Sequence, residues 1–592
     1  MPLTAKSLYA ISVLSGIWHF LSKAWYSAIS VRPDMNLLMV VAVFGALAIG
    51  QWAEAATVAF LFSLSLLLES WSIARARRAI ASLMSLTPPT ARLVDSTGRE
   101  LEVPAENVPP GSVLLVRPGE RLPLDGKVLV GQSDVDQAAI TGESVPVPKA
   151  IGDEVFAGTI NGDGALQIES TRPAGDTTLA RIIRMVGEAQ SGRAPSEQWV
   201  DRFARVYTPV VMILALTVFI VPPLLLGGSW QTWFYNALVL LVIACPCALV
   251  ISTPVSIVAA IAAAAREGVL VKGGVYIEAP AHLKAIAFDK TGTLTAGQPA
   301  VVQVIPLAGH SETELLERVA ALETHSDHPL AVAIVQHARN KKVHPQRADE
   351  FKILPGKGAT GRFQGREFWL GSHRYLEERQ QGTPELHQQL KSLSSAGRTV
   401  VVIGNDSHVC GLIALADRIR PNARAVLADL RQLGMHQLVM LTGDNQPTAE
   451  AIAKEMGISD VQAELLPADK VRSVEALAQK HGSVAMIGDG VNDAPAMGRA
   501  TLGIAMGAVG SDAAIETADI ALMGDDLSKI PWLVRHSRRT LAIIQQNIVA
   551  SLAVKAIFLL LTLLGHASLW TAIAADMGVS LLVIVNGLRL LR

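Results

Sequence analysis

Seven apolar runs frame this 592-residue chain: Ser7 to Tyr26, Met35 to Gly50, Ala55 to Ile73, Thr208 to Leu226, Asn236 to Ala262, Asn547 to Leu564 and Leu569 to Gly587. A helix needs about 20 mostly apolar residues to cross a bilayer, so runs of this length point to a helical membrane bundle. Only Gln51 to Glu54 separate the second run from the third, and only Gly565 to Ser568 the last two, as in tight helical hairpins. Two polar blocks remain, about Ala74 to Arg205 and about Ala263 to Gln546. Arg75, Arg77 and Arg78 follow the third run, and Lys272 and Lys284 the fifth, which predicts a cytosolic place for both blocks. No small-residue cleavage pattern follows the first run, where Lys23, Trp25 and Tyr26 instead suit an interfacial helix end.

The composition fits a membrane protein with large water-exposed parts: 50% of residues are hydrophobic and the mean hydropathy is +0.36, yet 17% are charged. Fifty-one basic against 52 acidic residues leave no net field, so nucleic acid is not expected as a partner. Three cysteines, two of them in one apolar run, exclude a disulfide framework as the architecture.

The first block has the Gly/Pro punctuation and short aliphatic runs of a small β domain, as in Ser112 to Val116 and Lys127 to Val130. Inside it, Thr141-Gly142-Glu143-Ser144 is a tight turn able to project one carboxylate. The second block alternates strand-like and helix-like segments, the pattern of an α/β domain with a parallel sheet. There the strand-like Ala285 to Phe288 delivers Asp289-Lys290-Thr291-Gly292-Thr293-Leu294-Thr295 to a loop. An aspartate so placed can accept a phosphoryl group covalently and split ATP hydrolysis into two steps. Three further loops carry Thr442-Gly443-Asp444, Pro467-Ala468-Asp469-Lys470 and Gly488-Asp489-Gly490-Val491-Asn492-Asp493-Ala494-Pro495. Phosphoryl transfer develops negative charge on oxygen, so the site needs a cation, donors and Mg²⁺. Lys470 can supply the cation, Thr442 a donor, and Asp289 and Asp489 hard oxygen ligands for Mg²⁺.

These motifs, in this order, resemble the P-type ATPases, whose phosphorylation domain is related to haloacid-dehalogenase-type phosphatases; the resemblance covers nearly the whole chain. It implies a multi-domain α/β membrane protein. An α-helical transmembrane bundle would carry a β-rich actuator domain, a haloacid-dehalogenase-like α/β phosphorylation domain and an α+β nucleotide-binding insertion. The expected limits are 1–73 for one auxiliary helix and the first core hairpin, 74–205 for the actuator and 206–263 for a second hairpin. The phosphorylation domain would take 264–297 and 411–540, the nucleotide insertion 298–410 and the last hairpin 541–592. By the same resemblance Glu143 positions water against the aspartyl phosphate, and Lys290, Thr291 and Asp493 join the catalytic set, with Thr291 also at the Mg²⁺ site. In the insertion, Glu323, His328, Gly356 and Gly358 match the nucleotide site of heavy-metal pumps, with Asp327 where that family more often has glutamate.

Cys245-Pro246-Cys247 lies near the middle of the fifth run. A proline there removes a backbone donor and opens the helix, turning carbonyls and two thiols toward one point. Thiolates favour Cu(I), Zn²⁺, Cd²⁺ or Pb²⁺ over Na⁺, K⁺ and Ca²⁺. In the last hairpin Lys555 and Asp576 are equidistant from the turn at Gly565 and His566, so they lie at one depth and can meet. Two thiolates and the Asp576 carboxylate carry three negative charges; a divalent ion leaves one, which Lys555 cancels as a counter-ion. Cu(I) would leave an excess, and carboxylate suits Zn²⁺ better. Asp576-Met577-Gly578 and Lys555 also resemble the zinc/cadmium/lead exporters. Glu54, at the outer end of the third helix, is the candidate exit group.

The sequence thus predicts ATP-driven, Mg²⁺-dependent export of Zn²⁺, with Cd²⁺ and Pb²⁺, by a monomer in the plasma or inner membrane. The alternatives are a Cu(I) pump of the same fold, or a non-transporting membrane phosphatase or metal sensor. Family members usually begin with a Cys-x-x-Cys domain and two extra helices; this chain shows neither the motif nor room for it. Cys410 has no evident role.

Overall fold

The computed structural model describes all residues except 1, 2, 31–33, 85, 86, 96, 142–145, 189–191, 327, 345, 355, 356, 491, 492, 508–511, 565, 567 and 592. The chain divides into two compact units, Met1–Ala281 with Leu533–Arg592, and His282–Trp532.

In the first unit the apolar runs form helices α1 (Leu3–Ile29), α2 (Met35–Ala48), α3 (Trp52–Met84), α4 (Pro195–Leu226), α5 (Trp230–Ile243), α6 (Cys247–Arg266), α7 (Lys529–Leu563) and α8 (Leu569–Leu588). Among the described residues, α4, the α5–α6 segment, α7 and α8 are long and apolar enough to cross a membrane. The run Asn236 to Ala262 is not one helix. Ala244 to Pro246 interrupt it, because Pro246 has no N–H to donate back into the preceding turn. Val13, Ile17 and Phe20 of α1 pack with Val43, Val58, Val239, Cys245 and Ile573 into one buried core. Helices approach closely where side chains are small: a Cβ on Gly587 of α8 would come within 2.9 Å of the Ser256 hydroxyl on α6.

Between α3 and α4 lies an antiparallel six-stranded sheet in the order Glu100–Pro104, Thr90–Val94, Val113–Val116, Leu166–Ser170, Gly126–Val130, Glu154–Val155. Both strands expected from the sequence are there. The helices on either side reach further into the polar block than expected, α3 to Met84 and α4 back to Pro195, since helix is not obliged to stop where apolarity does. The buried Asp125 ties the sheet to the helix beyond it, accepting from the Ala157 N–H at 2.8 Å and from the Thr178 N–H at 2.6 Å.

The second unit is built on parallel strands β1 (Ala285–Asp289), β2 (Gln437–Leu441), β3 (Asp460–Gln462), β4 (Val484–Gly488), β5 (Leu502–Ala505) and β6 (Ile520–Leu522), in the order β6-β5-β4-β1-β2-β3. β1 and β4 are buried at every position, as strands covered on both faces must be, which explains their unbroken apolar sequences. A second, antiparallel sheet of six strands runs from Thr295–Pro306 through Val409–Ile419, Thr399–Asn405, Arg366–Gly371 and Gly358–Phe363 to Asp349–Leu354. The strand Val409–Ile419 passes straight through the boundary expected at residue 410.

Candidate active site and membrane metal site

β1 is an interior strand of its sheet, so its carboxyl end opens into the crevice where ligands bind in open α/β sheets. Asp289 is its last residue, level with Leu441 of β2. Gly292 beyond it has a left-handed φ of 73°, which turns the chain sharply after Thr291, itself exposed. The helix Pro467–His481 brings Lys470 across: its ammonium donates to Asp289 at 2.6 Å and to Asp493 at 2.7 Å. Burial, and then the neighbouring Asp493 charge, push the Asp289 carboxyl up to about 6. Burial also raises Asp493. For Lys470, burial pulls down, but the two carboxylates outweigh it and the net shift is upward.

Thr442 follows β2 and its hydroxyl accepts from the Asp444 N–H at 3.1 Å, which leaves its proton to donate. Two carboxylates, Asp289 and Asp493, thus face one lysine with the Asp489 charge close by, and Asp493 Oδ2 is a buried oxygen with no side-chain partner among the described residues. The excess negative charge and hard oxygen donors fit Mg²⁺.

Three further contacts hold the loop after β1, two of them from residues that the sequence does not single out, Asp417 and Arg420. Asp444 accepts from the Lys290 ammonium at 2.6 Å, Asp417 from the Thr295 hydroxyl at 2.5 Å, and Arg420 donates to the carbonyls of Gly292 and Thr293 at 3.0 and 2.9 Å. Asp444 was visible as the third member of its quoted tripeptide. Arg420 and Asp417 act on residues more than 120 positions away, and no local pattern marks them.

In the second sheet, Glu323, His328, Lys357 and Gly358 line one cavity of about 450 Å³ with Phe351 and Leu354. Burial pushes the Glu323 carboxyl up to about 7. His328 caps the helix Pro329–Asn340, its Nδ1 accepting from the Leu330 N–H at 3.3 Å. Gly358 has φ of 148° and its Cα faces the Leu370 carbonyl so closely that any Cβ would collide with it. Glu143, Gly356 and Asp327 lie outside the described residues.

In the membrane unit the broken helix leaves carbonyls at Ile243 and Cys245 without helical partners. The Lys555 ammonium takes both, at 3.2 Å from Ile243 O and in close contact with Cys245 O, and also donates to Asp576 at 2.9 Å. The expected meeting of Lys555 with Asp576 therefore occurs, at the Cys-Pro-Cys break. The cavity beside the pair is about 10 Å³, the size of a single water. Both cysteines are buried, and their sulfurs are joined to each other; the reduced pair is the ligating form. One link between residues two apart is no framework. Glu54 accepts from the Tyr235 hydroxyl at 3.1 Å and lines a separate polar cavity of about 270 Å³ with Gln51 and Gln231.

A family model for haloacid dehalogenase-like hydrolases matches residues 283–501, and one for the P-type ATPase actuator domain matches residues 85–187. A protein named probable cadmium-transporting ATPase from Staphylococcus aureus (strain MRSA252) is 48% identical over 595 residues, 100% of this chain and 82% of that protein. The zinc/cadmium/lead-transporting P-type ATPase of Escherichia coli (strain K12) is 45% identical over 561 residues, 94% of this chain and 75% of that one. A crystal structure of a zinc-transporting PIB-type ATPase in the E2.Pi state is 42% identical, with a TM-score of 0.65 over 99% of this chain and 95% of that chain. Match lengths, motifs and site geometry agree: the chain is an ATP-hydrolysing multi-pass membrane protein and belongs to the P-type ATPases, in their heavy-metal-transporting group.

Proposed function

We propose that this chain exports Zn²⁺, and with it Cd²⁺ and Pb²⁺, from the cytosol across the plasma or inner membrane, working as a monomer with its polar domains on the cytosolic side. The observation that carries the reading is the Lys555 ammonium lying on both the Asp576 carboxylate and the Cys245 carbonyl. One cation-sized position is thus surrounded by the Asp576 carboxylate and the freed Ile243 and Cys245 carbonyls, in the segment that carries the two cysteines. Reduced, this donor set carries three negative charges, and a dication with Lys555 would balance them; Cu(I) would not.

In the chemical step an Asp289 oxygen attacks the γ-phosphorus of ATP, a phosphorus–oxygen bond forms, and the bond to the ADP oxygen breaks. Lys470 holds the carboxylate in place and offsets charge as it moves onto the phosphoryl oxygens. Lys290 is held by Asp444 and Thr442 donates. Asp289, Thr291 and Asp489 are the positions that would hold Mg²⁺, which supplies charge neutralisation on the phosphates. Glu323, His328, Gly356 and Gly358 bind the nucleotide base. Glu143 then directs water at the phosphorus, which releases inorganic phosphate and restores the carboxylate. Glu54 receives the ion as it leaves.

The test is phosphorylation of the purified, reduced chain by ATP labelled on its γ-phosphate, against a panel of metals. Zn²⁺, Cd²⁺ and Pb²⁺ should each produce a covalent, acid-stable label that Asp289→Asn removes. Labelling driven by Cu(I) instead would replace this reading with a copper pump.

A further inference from the structure

Apart from the cavity-lining residues, the antiparallel sheet of the second unit gathers two imidazoles and a thiol. His310 precedes the helix Glu312–Glu323, while His408 and Cys410 lie where the strand Thr399–Asn405 turns into Val409–Ile419. The two Nε2 atoms are 3.0 Å apart across 98 positions of sequence, and one ligand atom from each of His310, His408 and Cys410 lies within 4.8 Å of the others. Two imidazoles at about 2.0–2.1 Å from a tetrahedral Zn²⁺ would stand about 3.3 Å apart, so these rings need move only a few tenths of an ångström. We propose that His310, His408 and Cys410 form a second binding site, for a zinc-like dication, in the polar part of the chain.

A hydrogen bond between two neutral rings would also explain the 3.0 Å separation. The surroundings argue for more. A ring that ligates through Nε2 must direct its Nδ1 proton at an acceptor. Nδ1 of His408 lies 3.1 Å from the Ser407 hydroxyl, and Nδ1 of His310 lies 3.6 Å from the Glu314 carboxylate. The Arg318 guanidinium now reaches that same His310 Nδ1 at 3.1 Å, and metal binding would turn it away. Cys410 is fully buried and the two rings are half-buried, so the histidines are the members of the cluster that solvent reaches. The thiol proton is released as the sulfur–metal bond forms. Two imidazoles and one thiolate suit Zn²⁺, with water as fourth ligand. A second cluster, His373, Glu377 and His387, is more exposed and has no sulfur, which makes it a control.

Of the three cysteines, Cys410 alone remains after Cys245→Ala and Cys247→Ala. That full-length chain, loaded with Co²⁺, should bind one equivalent showing thiolate-to-cobalt charge transfer. Cys410→Ser should abolish the band, and His310→Ala or His408→Ala should each weaken Co²⁺ binding at least about tenfold, one ligand being worth that much or more. His373→Ala should leave the band in place. Absence of the band, or a band indifferent to both His310 and His408, overturns the site. If the double cysteine variant does not fold, Zn²⁺ stoichiometry of the otherwise wild-type chain decides: His310→Ala must lose one equivalent, and an unchanged count overturns the proposal.

Discussion

Asp289 sits between one lysine and two other carboxylates, and Lys470 is the cation that offsets them. Lys470→Ala leaves Asp289 and Asp493 facing each other unscreened, and removes the charge that would stabilise the transferring phosphoryl group. Loss of one such preorganised group costs on the order of 10²–10³ in rate, and phosphoenzyme formation in a rapid-quench assay should fall by that amount. Glu323 gives a different signal. Its carboxyl, raised to about 7, is mostly neutral below that pH and ionised above it. A base settling over it deepens its burial and favours the neutral form further, so ATP affinity should weaken as pH rises above 7. Titrating ATP binding through the neutral range should show that slope in the wild type and a flat line in Glu323→Gln. Residues such as Asp289 and Lys470 were legible because short motifs carry them. Arg420 was not, because an arginine that holds two carbonyls of a distant loop looks in sequence like any other surface arginine.

At the level of elements, hydropathy located the membrane helices but not their interruptions. The apolar run around Pro246 reads as one span by composition, yet it is split at Ala244 to Pro246 into α5 and α6, while Pro254 lies inside the unbroken α6. The β strands Ala285 to Phe288 and Leu438 to Leu441 were plain, since burial on both faces demands continuous apolar residues. The strand Val409–Ile419 was not, because one of its two partners, Thr295–Pro306, lies far earlier in the chain and no local pattern marks that pairing. The interruption at Pro246 has a cost: proline inside a helix disfavours it by about 3 kcal/mol. Pro246→Ala should recover part of that stability by letting α5 run into α6. It should also withdraw the Ile243 and Cys245 carbonyls from Lys555. The expected outcome is a thermal unfolding temperature that does not fall, with metal-stimulated ATP hydrolysis largely lost. A variant that hydrolyses ATP normally would show that the break is not needed.

For the molecule as a whole, the proposed function makes the occupant of the membrane site the group that would decide whether the ion is held or expelled. In this conformation Asp576 is already paired, and the neighbouring space admits no more than one water, so there is no room for a hydrated ion. On the proposed reading, an ion and the Lys555 ammonium would compete for the same carboxylate. Whichever conformation favours the lysine pairing must therefore disfavour the metal, and by the same free energy. Lys555→Ala takes away the competitor. Leaving one member of a buried pair uncompensated costs about 3–5 kcal/mol, and a dication can relieve that cost by staying bound. At about 1.4 kcal/mol per tenfold, retention should strengthen by roughly 10²–10³. Lys555→Ala should therefore still bind metal and still become phosphorylated from ATP, while metal uptake into inverted vesicles falls at least about tenfold because release is slowed. Lys555→Arg, which keeps the charge but not the compact shape, should fall between the two. Wild-type uptake by Lys555→Ala would mean that the lysine merely fastens α7 to α8 and that the ion is expelled by something else.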